Sequence, residues 1–420
     1  MSFQQGLSGL NATSKSLEVI GNNIANANTY GSKIARAEFT DVYAAAISGA
    51  SATAIGIGTN LAAVSQQFTQ GNISTTQNAL DLAINGGGFF QVSDGSGVTN
   101  YTRNGQFKVD RDGYIVNNSL QQLMGYPADA QGQVQPGAAT SLRLPTGGIN
   151  PRPTSTIDIE MNLDSRLAST LPATAPMVDF NDADTFNNAT SLTLYDAKGQ
   201  EVALTYYFQK SATDTWNVFA TANGSPVTGS LAAPLPLTTI AFAPDGSGPL
   251  APSGPVLFDV PASTNAAGAE TMTIAGIGLN LSGATQYGSA FGVTDLGQDG
   301  YSAGQLTAIA IEPNGIVSAR YSNGQSRPAG QIEIATFRNP QGLQPVGDNG
   351  WARTYASGDP IVGVPGDGNL GVLQAGALEE SNVDLTGELV NMITAQRIYQ
   401  ANAQTIKAQD QILQTLVNLR

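Results

Sequence analysis

Three stretches of this chain hold residue types that could do chemistry. "INGGGFF" at 84–90 is glycine-rich, as a phosphate cradle would be. It lacks the G-x-G-x-x-G spacing, and no Lys-Ser/Thr follows it; turn or close-packing glycine is the reading. "DRDG" at 110–113 resembles the start of a calcium loop. The twelfth position counted from Asp110 is Gln121 rather than a glutamate, and the central glycine is misplaced. A hairpin turn fits it better. Asp182 and Asp184 in "FNDADTFNN" are the kind of carboxylates a glycosidase pairs, but nothing sets such a pair at a working distance, and the stretch reads as a solvated loop. The chain has no histidine and no cysteine, which removes the commonest general base, thiolate chemistry and any disulfide framework. We expect no enzyme activity, no cofactor and no metal.

Other properties point to a different task. A length of 420 residues suggests about three domains. Apolar residues make up 41%, enough for real cores, whereas charged residues make up only 12%, about half the usual share. The net charge of −14 disfavours nucleic acid. That charge is uneven: residues 1–40 carry +1 and residues 379–420 carry −2, which leaves −13 for the middle. Near-neutral ends can pack against copies of themselves with little repulsion. No run approaches 18 apolar residues, so no membrane insertion is expected, and no standard secretory signal is expected at the N-terminus.

The elements follow from periodicity. Near the N-terminus, Phe3, Leu10, Leu17 and Ile24 recur every seven residues, with Leu7 beside them and Ile20 widening the stripe. "NNIANANTYG" follows, with Gly31 as the stop. Near the C-terminus, Leu385, Met392, Tyr399, Ile406 and Leu413 form one seven-residue row. Leu389, Gln396, Ala403, Asp410 and Val417 form a second, and Ile393, Ile412, Leu416 and Leu419 flank them. Ser381, Asn382 or Asp384 supplies the N-cap, with first-turn support from Glu388. A helix over 382–419 would run roughly 55 Å. Apolar rows on more than one side need several neighbours, and other copies of the chain are the simplest supply. Contacts of that kind, when they do not close, build a tube or filament.

Between the ends the texture is β. Residues 31–75 read as an extended, partly packed connector with short strands. Strand signals begin near 76, with turns at Asn104-Gly105 and Asp112-Gly113. "LPTGGINPRPTST" at 144–156 marks a boundary, and a second strand-rich block runs to about 298. Its clearest element is "SLTLYDAKGQEVALTYYF", with Leu204, Tyr206 and Phe208 on one face. After Gly300 the first texture returns, turning at Asn314-Gly315. The expected fold is mainly β, with two β-rich domains, one inserted in the other, and a coiled-coil-like helical module made by the two ends. The expected divisions are 1–30 with 382–420, then 31–75, then 76–148 with 299–381, and 149–298 as the insert.

"LSGLNATSKSLEVIGNNIANANTYGSK" resembles the N-terminal signature of bacterial flagellar axial proteins, the rod and hook family. "LEESNVDLTGELVNMITAQRIYQANAQTIKAQDQILQTLVNLR" resembles their C-terminal signature. "YTRNGQF" and "MGYP" are similar to the β domain that hook and distal-rod subunits share, and the 149–298 insert favours the hook branch. The family's aromatic after "T-x-G" is Ser32 here, with Tyr30 before Gly31. The resemblance implies a homopolymer: a short curved tube that passes motor torque to the filament as a universal joint. It also implies a place outside the cell, export through the flagellar type III apparatus, and contacts with the distal rod, the hook cap and the hook–filament junction proteins. Two other readings stay open. One is a distal rod or other axial subunit. The other is a secreted β-rich adhesin or glycan-binding module, which would leave the heptad ends unexplained.

Overall fold

The computed structural model describes residues 2–42, 56–129, 131–135, 137–171 and 177–418. The chain divides into two compact units: Met1–Thr146 with Ala308–Arg320 and Ser326–Arg420, and Gly147–Thr307 with Tyr321–Gln325.

The second unit is built on two main sheets and also holds the short strand pair Gly229–Ser230 and Ala233–Pro234. One has the order Val256–Val260, Ile274–Asn280, Thr156–Asn162, Gly292–Gln298. The other runs Asn188–Tyr195, Glu201–Ala212, Thr215–Ala222, Thr238–Phe242, Pro249–Ala251. Thr156–Asn162 alternates strictly, burying Ile157, Ile159 and Met161, and Glu201–Ala212 buries Val202, Leu204, Tyr206 and Phe208. These rows meet in one apolar cluster drawn from both sheets, as period-2 strands in a sandwich must. The turn between Asn188–Tyr195 and Glu201–Ala212 uses Gly199 at φ 77°. There Asp196 Oδ1 accepts from the Lys198 and Gln200 amides.

In the first unit the main sheet centres on Phe89–Ser93, which pairs with Thr99–Thr102, Gln122–Pro127 and Ile334–Thr336. This strand is buried on both faces. Phe90 and Val92 enter a core with Leu82, Ile84, Ile115 and Leu123. Phe89 enters a second, aromatic cluster with Tyr101, Phe337 and Trp351. The sheet around Asn104-Gly105 departs from expectation. These residues do not close a hairpin, because Gln106 bridges back to Asp81. A side chain at Gly105 would collide with the Leu82 carbonyl, so glycine serves close packing there. Asp112-Gly113 does join two paired strands, Lys108–Val109 and Ile115–Val116.

Helix α1 spans Ser2–Ala25 and helix α2 spans Leu385–Asn418. α1 stops six residues before Gly31, and α2 begins at Leu385 rather than 382. The reason is Asn382, whose side chain clamps a neighbouring segment instead of capping. Asp384 caps, its Oδ1 accepting from the Thr386 amide at 3.0 Å. Strands β1 (Ala35–Val42) and β2 (Gly58–Gln66) pair antiparallel. No helix among the described residues is long and apolar enough to cross a membrane.

Candidate assembly surface and the junction beneath it

The two helices lie antiparallel. A Cβ on Gly6 would stand 3.0 Å from Ile406 Cγ1, and one on Gly9 would stand 2.9 Å from Asn402 Nδ2. At the other end Asn23 Nδ2 donates to Glu388 Oε2 at 3.1 Å. Small residues on α1 therefore set the close approach, and the most buried line of α1 is Gly6, Thr13, Ile20 and Asn23. Of the apolar row read from the sequence, Leu10, Leu17 and Ile24 are half-buried and Leu7 is exposed. On α2 the inward line is Glu388, Met392, Ala395, Asn402 and Ile406. Leu385, Leu389, Ile393, Tyr399 and Leu413 are exposed, Leu389 at 46% and Ile393 at 52%. The side chains of Phe3 and Leu416 lie outside those described. Beyond Ile406, α2 continues to Asn418, a further stretch of about 18 Å, and Ile412 and Leu413 there are more than half exposed.

α1 is tied to the β1–β2 strand pair by the Asn23 side-chain amide, which donates to the Ala35 carbonyl at 2.8 Å and accepts from the Ala35 amide at 2.9 Å. Ser8 Oγ accepts from the Thr59 amide, and Gln5 Nε2 donates to the Gly56 carbonyl.

Beneath the helices sits a buried charge cluster that sequence reading missed. Glu379 Oε1 lies 2.6 Å from Lys33 Nζ, and its Oε2 lies 3.0 Å from Arg103 Nη1, all three side chains being essentially sealed from solvent. Glu379 Oε1 also accepts from the Gly71 amide. Lys33 Nζ donates to the Thr69 carbonyl and Arg103 Nη2 to the Gly86 carbonyl. The Arg103 guanidinium stands 5.4 Å from the Phe89 ring centre. Burial pushes the Lys33 ammonium below the usual lysine value, against the attraction of Glu379, and burial acts on Arg103 in the same direction. Asn382 completes the joint: its Oδ1 accepts from the Ile34 amide, and its Nδ2 donates to the Gln67 carbonyl. Gly31, at φ 72°, donates its amide to the Glu379 carbonyl. A Cβ there would stand 2.5 Å from the Asn104 amide nitrogen. Ser32, next to Lys33 in the chain, is buried. The available signal was the scarcity of charge: in a chain with so few bases, Lys33 and Arg103 each lie next to packed segments.

The stretches considered for chemistry are absorbed by turns. Gly86 and Gly88 take positive φ. Asp110 Oδ1 accepts from the Asp112 and Tyr114 amides. Asp182 Oδ1 accepts from the Asp184 amide.

Four family models match the chain. "Flagella basal body rod protein" covers residues 3–33 and "Flagellar hook protein FlgE/F/G D1 domain" covers 83–163. "Flagellar basal body protein FlaE D2 domain" covers 162–301 and "Flagellar basal body rod FlgEFG protein C-terminal" covers 374–419. The chain is 40% identical to the flagellar hook protein FlgE of Salmonella typhimurium over 422 residues, spanning all of both chains. It belongs to the flagellar hook protein family. The family member from Escherichia coli K12 is likewise 40% identical over 427 residues, with all of both chains covered. The one from Borreliella burgdorferi is 32% identical over 457 residues, spanning all of this chain and 99% of its own. The crystal structure of the Helicobacter pylori flagellar hook protein FlgE2 has the same fold at 16% identity. It aligns with a TM-score of 0.53 over 73% of this chain and 99% of that one. Within this hook-family chain, Lys33, Arg103 and Glu379 fall under three separate family models, so the cluster joins parts that are recognised independently.

Proposed function

We propose that this chain is the structural subunit of the flagellar hook, a homopolymer that forms a curved tube and acts as a universal joint between motor and filament. The observation that carries the reading is the outward apolar row of Leu385, Leu389 and Ile393 on α2, a helix that outruns α1 and leaves Ile412 and Leu413 exposed beyond it. Exposed apolar surface of this extent marks an interaction site. Residues 1–30 with 382–420 form the assembly module, with Phe3, Leu7, Leu10, Leu17, Ile20, Ile24, Met392, Tyr399, Ile406 and Leu416 packing within or between copies. Residues 31–75 connect it to a first β domain, 76–148 with 299–381, and 149–298 is the inserted outer domain. The partners are further copies and, at the two ends of the tube, distal rod, hook cap and hook–filament junction proteins. The chain reaches this extracellular position through the flagellar export apparatus.

Leu389→Asp tests the reading. It places a carboxylate on an exposed α2 position, so thermal unfolding of the monomer should not change. Electron microscopy should show no tubes under conditions where the parent chain polymerises fully, because an ionised group in an apolar contact is strongly unfavourable. Normal tubes from this variant would overturn the assignment of the outward row.

A further inference from the structure

Among its 34 residues α2 holds just four charged side chains: Glu388, Arg397, Lys407 and Asp410. Glu388 lines a groove of about 260 Å³ with Ser16 and Val19 of α1, Ala37 of β1, and Ala395 and Ile398 of α2. It is 7% exposed. Its Oε2 accepts from Asn23 Nδ2 and its Oε1 from Asn391 Nδ2. Both donors are neutral, and no cation among the described residues pairs with it. A carboxylate has about four acceptor positions, so half of its capacity is open and its charge has no cationic side chain beside it. Arg36 also lines the groove, but it is turned to Glu38 at 2.9 Å on the surface. Arg397 is exposed and has no carboxylate within ion-pair reach among the described residues. It lies nine residues beyond Glu388, about two and a half helical turns, so it projects from the opposite side of α2.

We propose that this groove receives the Arg397 side chain of a second copy. The inference rests on the self-assembly reading and specifies one of its contacts. A socket on one side of a helix and its complement on the other are what a head-to-tail, non-closing contact requires. Arginine suits the socket, because its planar fork can meet the free acceptor positions of both oxygens at once. The apolar lining from Val19, Ala395 and Ile398 would take the methylene stem.

Charge exchange between copies tests it, using the full-length chain with polymer read by sedimentation and electron microscopy. E388R alone and R397E alone should each raise the concentration needed for polymer by at least about tenfold, since a like charge then faces the groove. An equimolar mixture of the two chains should polymerise, because each groove then meets the opposite charge. The double variant E388R/R397E should also recover. Thermal unfolding shows whether each chain folds. If E388R does not fold, R397A against K407A decides: loss of polymer in the first and not the second supports the contact. Single variants that polymerise like the parent would overturn it. So would folded variants that neither the mixture nor the double exchange rescues, or loss of polymer in R36A alongside full polymer in R397A. Tubes from the parent chain in the same buffer keep the self-assembly reading separate from these outcomes.

Discussion

The second unit and the terminal part of the first unit bury charge in opposite ways. In the second unit a fully buried carboxylate, Asp196, is satisfied by amides two and four residues along the chain and by the Met272 amide. Its core is built on one apolar cluster drawn from both sheets. In the first unit the buried carboxylate Glu379 is held by two cations 346 and 276 residues away in sequence. Glu333 is buried there too, with Gln91 as its donor at 2.7 Å, and burial pushes its carboxyl up. The first unit also leaves an apolar helix row outside, whereas the strands of the second turn their main apolar rows inward and expose single residues such as Leu250 and Leu257. One part is finished by its own sheets. The other uses ions to fix a joint between distant segments and keeps apolar surface for neighbours.

The sharpest way to break this contrast is at Glu379. Glu379→Ala strands Lys33 and Arg103 as unpaired buried cations, which should destabilise the first unit by about 3–5 kcal/mol. Hydrogen exchange should quicken across the first unit and stay unchanged in Thr156–Asn162 and Glu201–Ala212. Equal loss in both units would show that they do not unfold independently. A smaller effect is expected at Tyr206, whose hydroxyl is buried without a hydrogen-bond partner among the described residues. Burial also pushes this phenol up. Tyr206→Phe removes an unsatisfied group and should stabilise the second unit by about 1 kcal/mol, read from its calorimetric transition; destabilisation would mean the hydroxyl has a partner. The smallest effect concerns acid. Hydrogen bonds from the Arg166 side chain, then from its backbone amide, hold the Asp164 carboxyl down to about 2 from an ordinary 3.8. The folded state thus favours the ionised form. The contribution is complete above the ordinary value and is lost as pH falls from 3.8 toward 2. An Asp164→Asn chain should show a shallower loss of second-unit stability across that window. An unchanged slope would deny Asp164 this role.

Much of the second unit was legible because period-2 alternation is local. Leu204, Tyr206 and Phe208 announce their shared face within five residues, and the turn at Lys198-Gly199 separates the two strands. The helices were legible as helices, but their facing was not. Apolar residues at 3, 10, 17 and 24 suggested the seam, while the closest approach runs through Gly6 and Gly9, where smallness matters more than hydrophobicity. Asn382 illustrates the other gap. Beside Asp384 it looks like a helix cap, yet it holds Ile34 and Gln67, over three hundred residues away. The joint of Lys33, Arg103 and Glu379 has no sequence period at all, since it is defined by three segments meeting in space.

That joint also sets an order of completion. Lys33 and Arg103 precede Glu379 in chain order by 346 and 276 residues. The second unit has its last residue at Gln325, ahead of Glu379 in the chain. A chain cut short before residue 379 holds two cations that have nowhere to be buried, and it also lacks α2. The residue that settles the buried cations and the helix that carries the outward apolar row therefore lie next to each other in the chain, at Glu379 and from Leu385 onward.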